Sequence, residues 1–130
     1  MAGKFLIMES EEEIRELIRA MVVVAGSEAE CVSPKELSDY ALGLKSFEGV
    51  AGIIIGDPPR DEELMPDDAL PGYWGIAGRL SGIYPRGKII SFSISRRLAE
   101  ARPWAGYKIL KPDINGLRRA IEEIVSPKII

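Results

Sequence analysis

Val50-Ala51-Gly52-Ile53-Ile54-Ile55-Gly56-Asp57 is the most apolar run of the chain, and Pro58 and Pro59 follow it at once. Ile53, Ile54 and Ile55 offer no polar alternation, so the run reads as a strand buried on both faces, as in a parallel sheet. Gly56 and the two prolines then break it, leaving Asp57 alone at the strand's carboxyl end. In open α/β sheets that edge is where ligands and chemistry collect. Taken alone, an Asp-Pro pair is more often a turn, so the weight of Asp57 depends on what else reaches the same edge.

Strands and helices alternate on either side of this run. Phe5-Leu6-Ile7-Met8 is a short apolar strand ending in Glu9-Ser10. A helix follows over residues 11–25, with Ile14, Leu17, Ile18, Met21, Val22 and Ala25 on one face. Ser10 is its expected N-cap, Glu11, Glu12 and Glu13 suit the positive end of its dipole, and Gly26 stops it. A second strand is expected over 29–32. Ser33-Pro34-Lys35-Glu36 joins a capping box to a proline at the first helical position. The helix it starts carries Leu37, Tyr40, Ala41 and Leu44 inward. An acidic loop covers 61–68, and a glycine-weakened helix is expected over 72–83. Residues 88–94 and 107–110 read as the fourth and fifth strands, with a short helix over 96–101 between them. Asp113 or Asn115 opens the last helix, whose Leu117, Ala120, Ile121, Ile124 and Val125 face the core. Five such units in series predict a single domain over residues 1–130, a doubly wound five-stranded parallel sheet with helices on both faces.

Composition narrows the function classes. With 130 residues, 46% of them hydrophobic, the chain can bury a proper core. Its net charge of −3 is scattered, which argues against nucleic acid as a direct partner. No apolar stretch approaches the ~20 residues of a membrane span. The start Met1-Ala2-Gly3-Lys4 leaves no room for a signal peptide, and a single cysteine, Cys31, fits a reducing cytoplasm; it reads as a small buried hydrophobe. The chain has no histidine, which excludes histidine triads, histidine metal sites and a phosphohistidine carrier role. Phosphoryl chemistry, if present, falls to carboxylates, lysines and hydroxyls.

In a flavodoxin-like strand order of 2-1-3-4-5, strands one and three meet at the switch point and strand four lies beside three. Glu9-Ser10-Glu11, Asp57, Ser93 and Lys111-Pro112 would then share one rim. Such a set can hold a divalent cation through hard oxygens, offer a carboxylate nucleophile, and neutralise phosphoryl oxygens with an ammonium.

Over essentially its whole length the sequence resembles response-regulator receiver domains. Residues 6–18, from Leu6-Ile7-Met8-Glu9 onward, look like that family's first strand, acidic pair and first helix. Asp57 falls at the phosphoacceptor position. Ser93, in Ile89-Ile90-Ser91-Phe92-Ser93-Ile94, stands at the Thr/Ser position, and Ile109-Leu110-Lys111-Pro112 matches the Lys-Pro step into the last helix. Leu64-Met65-Pro66-Asp67-Asp68 is similar to the proline-containing loop after the phosphoacceptor, displaced by an insertion over 58–63. The resemblance implies a signalling module rather than an enzyme. Asp57, Ser93 and Lys111 would be the reacting set, with Mg²⁺ held by Glu9, Asp57 and the backbone carbonyl of Pro59. It also implies a histidine kinase or other signalling protein as partner, allows a homodimer, and fits a chain that ends soon after its last helix.

The departures from that family's pattern matter as much. Ser10 stands where a second acid is usual and removes a charge from the Mg²⁺ site. Glu9 carries one methylene more than aspartate, which shifts or withdraws its carboxylate. Lys108 occupies the switch-aromatic position, with Tyr107 beside it on the opposite strand face. Two readings follow: an atypical receiver in a phosphorelay with a weakened Mg²⁺ site, or a pseudo-receiver that binds proteins and is not phosphorylated. A nucleotide- or flavin-binding domain is poorly supported, because no Gly-rich loop follows strand one and residues 9–13 would repel phosphate. The acidic loop and the Arg96, Arg97 and Arg102 cluster read as solvated surface. Trp74 and Trp104 read as packing residues.

Overall fold

The isoleucine run forms strand β3, Val50–Ile55, and divides its side chains between two cores. Ile53 and Ile55 enter one apolar cluster with Leu6, Met8 and Leu37, while Ile54 enters the other with Phe5, Phe92 and Leu117. Successive strand residues point to opposite faces, so a sheet covered on both sides requires an unbroken apolar run. The structure, a computed structural model, describes residues 3–57, 79–80, 82–93, 105–111 and 113–126.

Around β3 lie β1 (Lys4–Met8), β2 (Glu28–Cys31), β4 (Ile89–Ser93) and β5 (Tyr107–Leu110), all parallel, in the order β2-β1-β3-β4-β5. The helices that flank the sheet include α1 (Glu12–Val24), α2 (Pro34–Ala41) and α3 (Ile114–Val125). Ile18 and Val22 of α1 join Leu117, Ala120 and Ile121 of α3 in the cluster on one sheet face, and α2 supplies Leu37 and Tyr40 to the other. The expected doubly wound sheet and its strand order are therefore found.

The local signals acted through their expected chemistry, with corrections. Ser33 accepts the Glu36 N–H at 3.1 Å while Glu36 accepts the Ser33 N–H, a complete capping box. Gly26 (φ +96°) ends α1 in a Schellman turn, with Ser27 N–H bonded to Val22 O and Gly26 N–H to Val23 O. Gly43 (φ +80°) does the same after α2. That turn corrects the reading of Leu44: the helix ends at Ala41, the chain reverses, and Leu44 is 72% exposed. Leu17 is also exposed, because the buried stripe of α1 is narrowed to Ile18 and Val22. The N-cap of α1 is Glu11 and not Ser10, and no side chain caps it; the Ser10 hydroxyl is used elsewhere, as shown below. Cys31 is half-buried against the α1–α3 cluster rather than fully inside. Asp113 caps α3, its Oδ1 accepting the Gly116 N–H at 2.8 Å.

Several expectations lie outside the described residues: Pro58 and Pro59, the acidic loop over 61–68, Trp74, the short helix over 96–101, the cluster of Arg96, Arg97 and Arg102, Trp104, and Pro112. Within the helix expected over 72–83, the described residues 79–80 are helical and 82–84 form a turn. Among the described residues no helix is long and apolar enough to cross a membrane.

Tyr84 gives the core a pH signature. It is buried beside Phe47, and its hydroxyl donates to Val50 O at 3.0 Å. Burial pushes the phenol up to about 12 from 10.0. The folded state thus holds this proton more tightly than the unfolded chain does. Its stabilisation is complete below about pH 10 and is lost as pH rises toward 12, by up to about 2–3 kcal/mol. Urea unfolding of wild type and Tyr84→Phe should show that extra alkaline loss in wild type alone.

Candidate functional site

The parallel register carries four residues to the same edge of the sheet. Met8 pairs with Ile55, Ile55 with Ser91, and Ser93 with Leu110. Glu9 follows β1, Asp57 lies two residues beyond β3, Ser93 is the last residue of β4, and Lys111 follows β5. Two backbone bonds extend the ladders into this rim: Gly56 N–H to Met8 O at 2.9 Å and Lys111 N–H to Ser93 O at 2.7 Å. All four side chains expected from the sequence are thus brought together; Pro59 lies outside the described residues.

Asp57 is buried, and Ser93 Oγ donates to its Oδ1 at 2.8 Å. Lys111 Nζ stands 3.5 Å from Asp57 Oδ2, 2.8 Å from Glu9 Oε1 and 3.9 Å from Glu11 Oε1. Burial by itself would depress the Lys111 ammonium, but Glu9, then Asp57 and Glu11, outweigh it and hold the group above the usual lysine range. The Glu9 side chain is fully buried. Its Oε2 accepts the Ser10 N–H at 2.7 Å and, more weakly, the Glu11 N–H at 3.4 Å. Oε1 has no well-angled hydrogen-bond donor among the described residues, so the ammonium's charge is what compensates it.

Three contributors were not legible as such. The Ser10 hydroxyl donates to the Asp57 carbonyl at 3.3 Å, tying the end of β1 to the end of β3. Arg15, one turn into α1, donates from Nη1 to the Glu9 carbonyl at 3.1 Å. Gly56 makes room for Glu9: a Cβ there would stand 2.5 Å from Glu9 Oε1 and 2.6 Å from its carboxyl carbon. In the sequence Gly56 reads only as a strand breaker; its place beside an acid that follows the neighbouring strand was the available clue. Gly56→Ala is expected to destabilise by about 1–3 kcal/mol, since a buried, ion-paired carboxylate must move. A thermal melt checks this, at about 4 °C per kcal/mol for a chain of 130 residues.

Tyr107 and Lys108 leave β5 on opposite faces, as expected. Lys108 is exposed, while Tyr107 packs against the α1–α3 cluster and donates its hydroxyl to Glu123 of α3 at 2.9 Å.

Whether this rim suits Mg²⁺ can be judged from its donors. Mg²⁺ requires near-octahedral oxygen ligands at about 2.0–2.1 Å. Each carboxylate oxygen of Glu9 and Asp57 already has a partner: Lys111 and backbone N–H groups for Glu9, Ser93 and Lys111 for Asp57. Ser10 supplies a hydroxyl turned to a carbonyl, not an anion. Among the described residues no group of three or more acidic or cysteine side chains is set to hold a metal. With Lys111 held across Glu9 and Asp57 and a hydroxyl at Ser10, the rim as arranged is a poor fit for Mg²⁺.

Comparison with known proteins places the fold. No family model matches the chain, and no curated protein matches it. Solved structures do. A response regulator receiver domain protein from Clostridium thermocellum aligns with a TM-score of 0.66 at 20% identity, over 95% of this chain and 94% of its own. A response regulator protein from Burkholderia multivorans aligns at 0.63 and 17% identity over all of both chains. A sensor protein from Polaromonas sp. JS666 gives 0.63 and 19%, covering 95% of this chain and 99% of its own. The class is therefore a flavodoxin-like doubly wound α/β domain. Within that class, the chain has the fold of response-regulator receiver domains.

Proposed function

We propose that this chain is an atypical receiver domain acting in phosphorelay signal transduction, with Asp57 as phosphoacceptor and a weakened Mg²⁺ site. The observation that carries this reading is the double approach to one buried carboxylate: Ser93 Oγ at 2.8 Å and Lys111 Nζ at 3.5 Å, from two further strand ends. A hydroxyl and an ammonium so placed can receive the oxygens of a phosphoryl group arriving at Asp57. An Asp57 oxygen attacks the phosphorus of a phosphohistidine on a partner histidine kinase or other signalling protein. The P–N bond breaks, its electron pair leaves with the imidazole nitrogen, and that nitrogen takes up a proton. The product is an aspartyl phosphate, and its new charge re-aims Lys111 and Ser93, shifting the ends of β4 and β5. In this reading the protein is a cytoplasmic phosphoprotein and a signalling module, not an enzyme.

One observation favours the second reading, a pseudo-receiver that binds proteins without phosphorylation. Lys111 lies closer to Glu9 than to Asp57 (2.8 against 3.5 Å), and Ser10 removes an acid beside them. Incubation with phosphoramidate and Mg²⁺, followed by intact mass, separates the two. The receiver predicts a single phosphoryl adduct that is absent in Asp57→Asn; the pseudo-receiver predicts none under conditions that label an ordinary receiver.

A further inference from the structure

We propose that the Lys111 ammonium, bridging Glu9 and Asp57, is this rim's built-in counter-ion in place of a divalent cation, and that Glu9 is the positioning residue that anchors it there. The expectation of a metal rests on the receiver reading; the ion-pair arrangement does not.

Two buried carboxylates at one sheet edge demand a positive partner. A mobile divalent ion could supply it, but so can an ammonium fixed to the next strand end. Lys111 follows β5 directly, and its backbone N–H is bonded to Ser93 O at 2.7 Å, so its stem starts from a fixed point. Its Nζ then meets Glu9 at 2.8 Å, Asp57 at 3.5 Å and Glu11 at 3.9 Å. The nearest acid is Glu9, whose extra methylene lets the carboxylate fold back onto the Ser10 N–H and still face the ammonium. Three described neighbours hold Glu9 in that pose. Arg15 fixes its carbonyl, the Ser10 N–H fixes Oε2, and Gly56 leaves the space its carboxylate fills. Ser10 fits the same logic: an acid here would add one more negative charge to a rim where Lys111 already faces Glu9, Asp57 and Glu11, whereas a hydroxyl adds none. A divalent ion entering this rim has to break the Glu9–Lys111 pair first.

The test reads the ammonium itself. In protein carrying ¹⁵N-lysine, a slowly exchanging side-chain signal that vanishes in Lys111→Met belongs to Lys111. It should stay in place on addition of Mg²⁺, persist in Asp57→Asn, and be lost in Glu9→Gln. Mn²⁺ binding followed by electron paramagnetic resonance should be at least about tenfold tighter in Lys111→Met than in wild type, a difference of about 1.4 kcal/mol. Displacement of the Lys111 signal by Mg²⁺, or equal Mn²⁺ affinity in the two proteins, overturns the proposal. If Glu9→Gln fails to fold, the Mg²⁺ titration of wild type and the Asp57→Asn spectrum still decide it. Neither readout depends on phosphorylation, so a failed labelling of Asp57 and a failed counter-ion assignment are told apart.

Discussion

Lys111→Met is expected to destabilise the domain by about 3–5 kcal/mol, the usual result of removing one partner of a buried ion pair. The Lys111 side chain is 10% exposed and that of Glu9 is fully buried, so water cannot replace the lost ammonium. Methionine fills a similar volume, which confines the effect to charge. The loss should appear in urea unfolding as a lower midpoint with an unchanged slope. The double variant Lys111→Met with Glu9→Gln should regain a large part of it, because a neutral amide no longer needs a cation. That non-additivity separates an electrostatic role from a packing one. If Lys111→Met alone stays within about 0.5 kcal/mol of wild type, the pair is not what balances the rim.

The second large effect is a gain. Ser10→Asp replaces a hydroxyl that donates to the Asp57 carbonyl with a third acid beside Glu9 and Asp57. Without metal the variant should be less stable than wild type by about 1 kcal/mol or more, from the lost hydrogen bond and like-charge repulsion. With Mg²⁺ the same acid supplies the missing anionic oxygen, so binding stabilises the folded state by mass action. A concentration about 100 times the dissociation constant would contribute about 2.7 kcal/mol, or a Tm rise on the order of 10 °C. Wild type should melt at nearly the same temperature with and without Mg²⁺. A Tm equally responsive to Mg²⁺ in both proteins would show that Ser10 does not set the metal response.

Much of this was legible because the decisive signals are local and redundant. Ile53, Ile54 and Ile55, closed off by Gly56 and two prolines, read as a short strand buried on both faces, and β3 divides them between two cores as a covered parallel sheet requires. Ser33 and Glu36, Gly26, and Asp113 bounded helices through bonds made within a few residues, which sequence spacing reports directly. The rim itself followed from strand order, since Glu9, Asp57, Ser93 and Lys111 each stand at or just past a strand end.

What was not legible depends on register and on side-chain reach. Ser10 reads as an N-cap by local rules, yet its hydroxyl crosses 47 positions of sequence to the Asp57 carbonyl. That contact exists only because Met8 sits opposite Ile55. The choice of Lys111 for Glu9 over Asp57 turns on one methylene and on the space left by Gly56, which no pattern of residue types encodes. Edge strand β2 came out one residue earlier than expected, as Glu28–Cys31, because a half-exposed strand carries a weak alternation. Leu44 was misplaced because helical periodicity says nothing of where Gly43 turns the chain.

The central claim is that Asp57 accepts a phosphoryl group, and peptide mapping after borohydride reduction tests it most directly. Hydride converts an aspartyl phosphate to homoserine and leaves a free carboxylate untouched. After treatment with phosphoramidate and reduction, the account predicts homoserine at position 57 and intact Glu9 and Glu11. Unmodified Asp57, or homoserine at another aspartate, would contradict it.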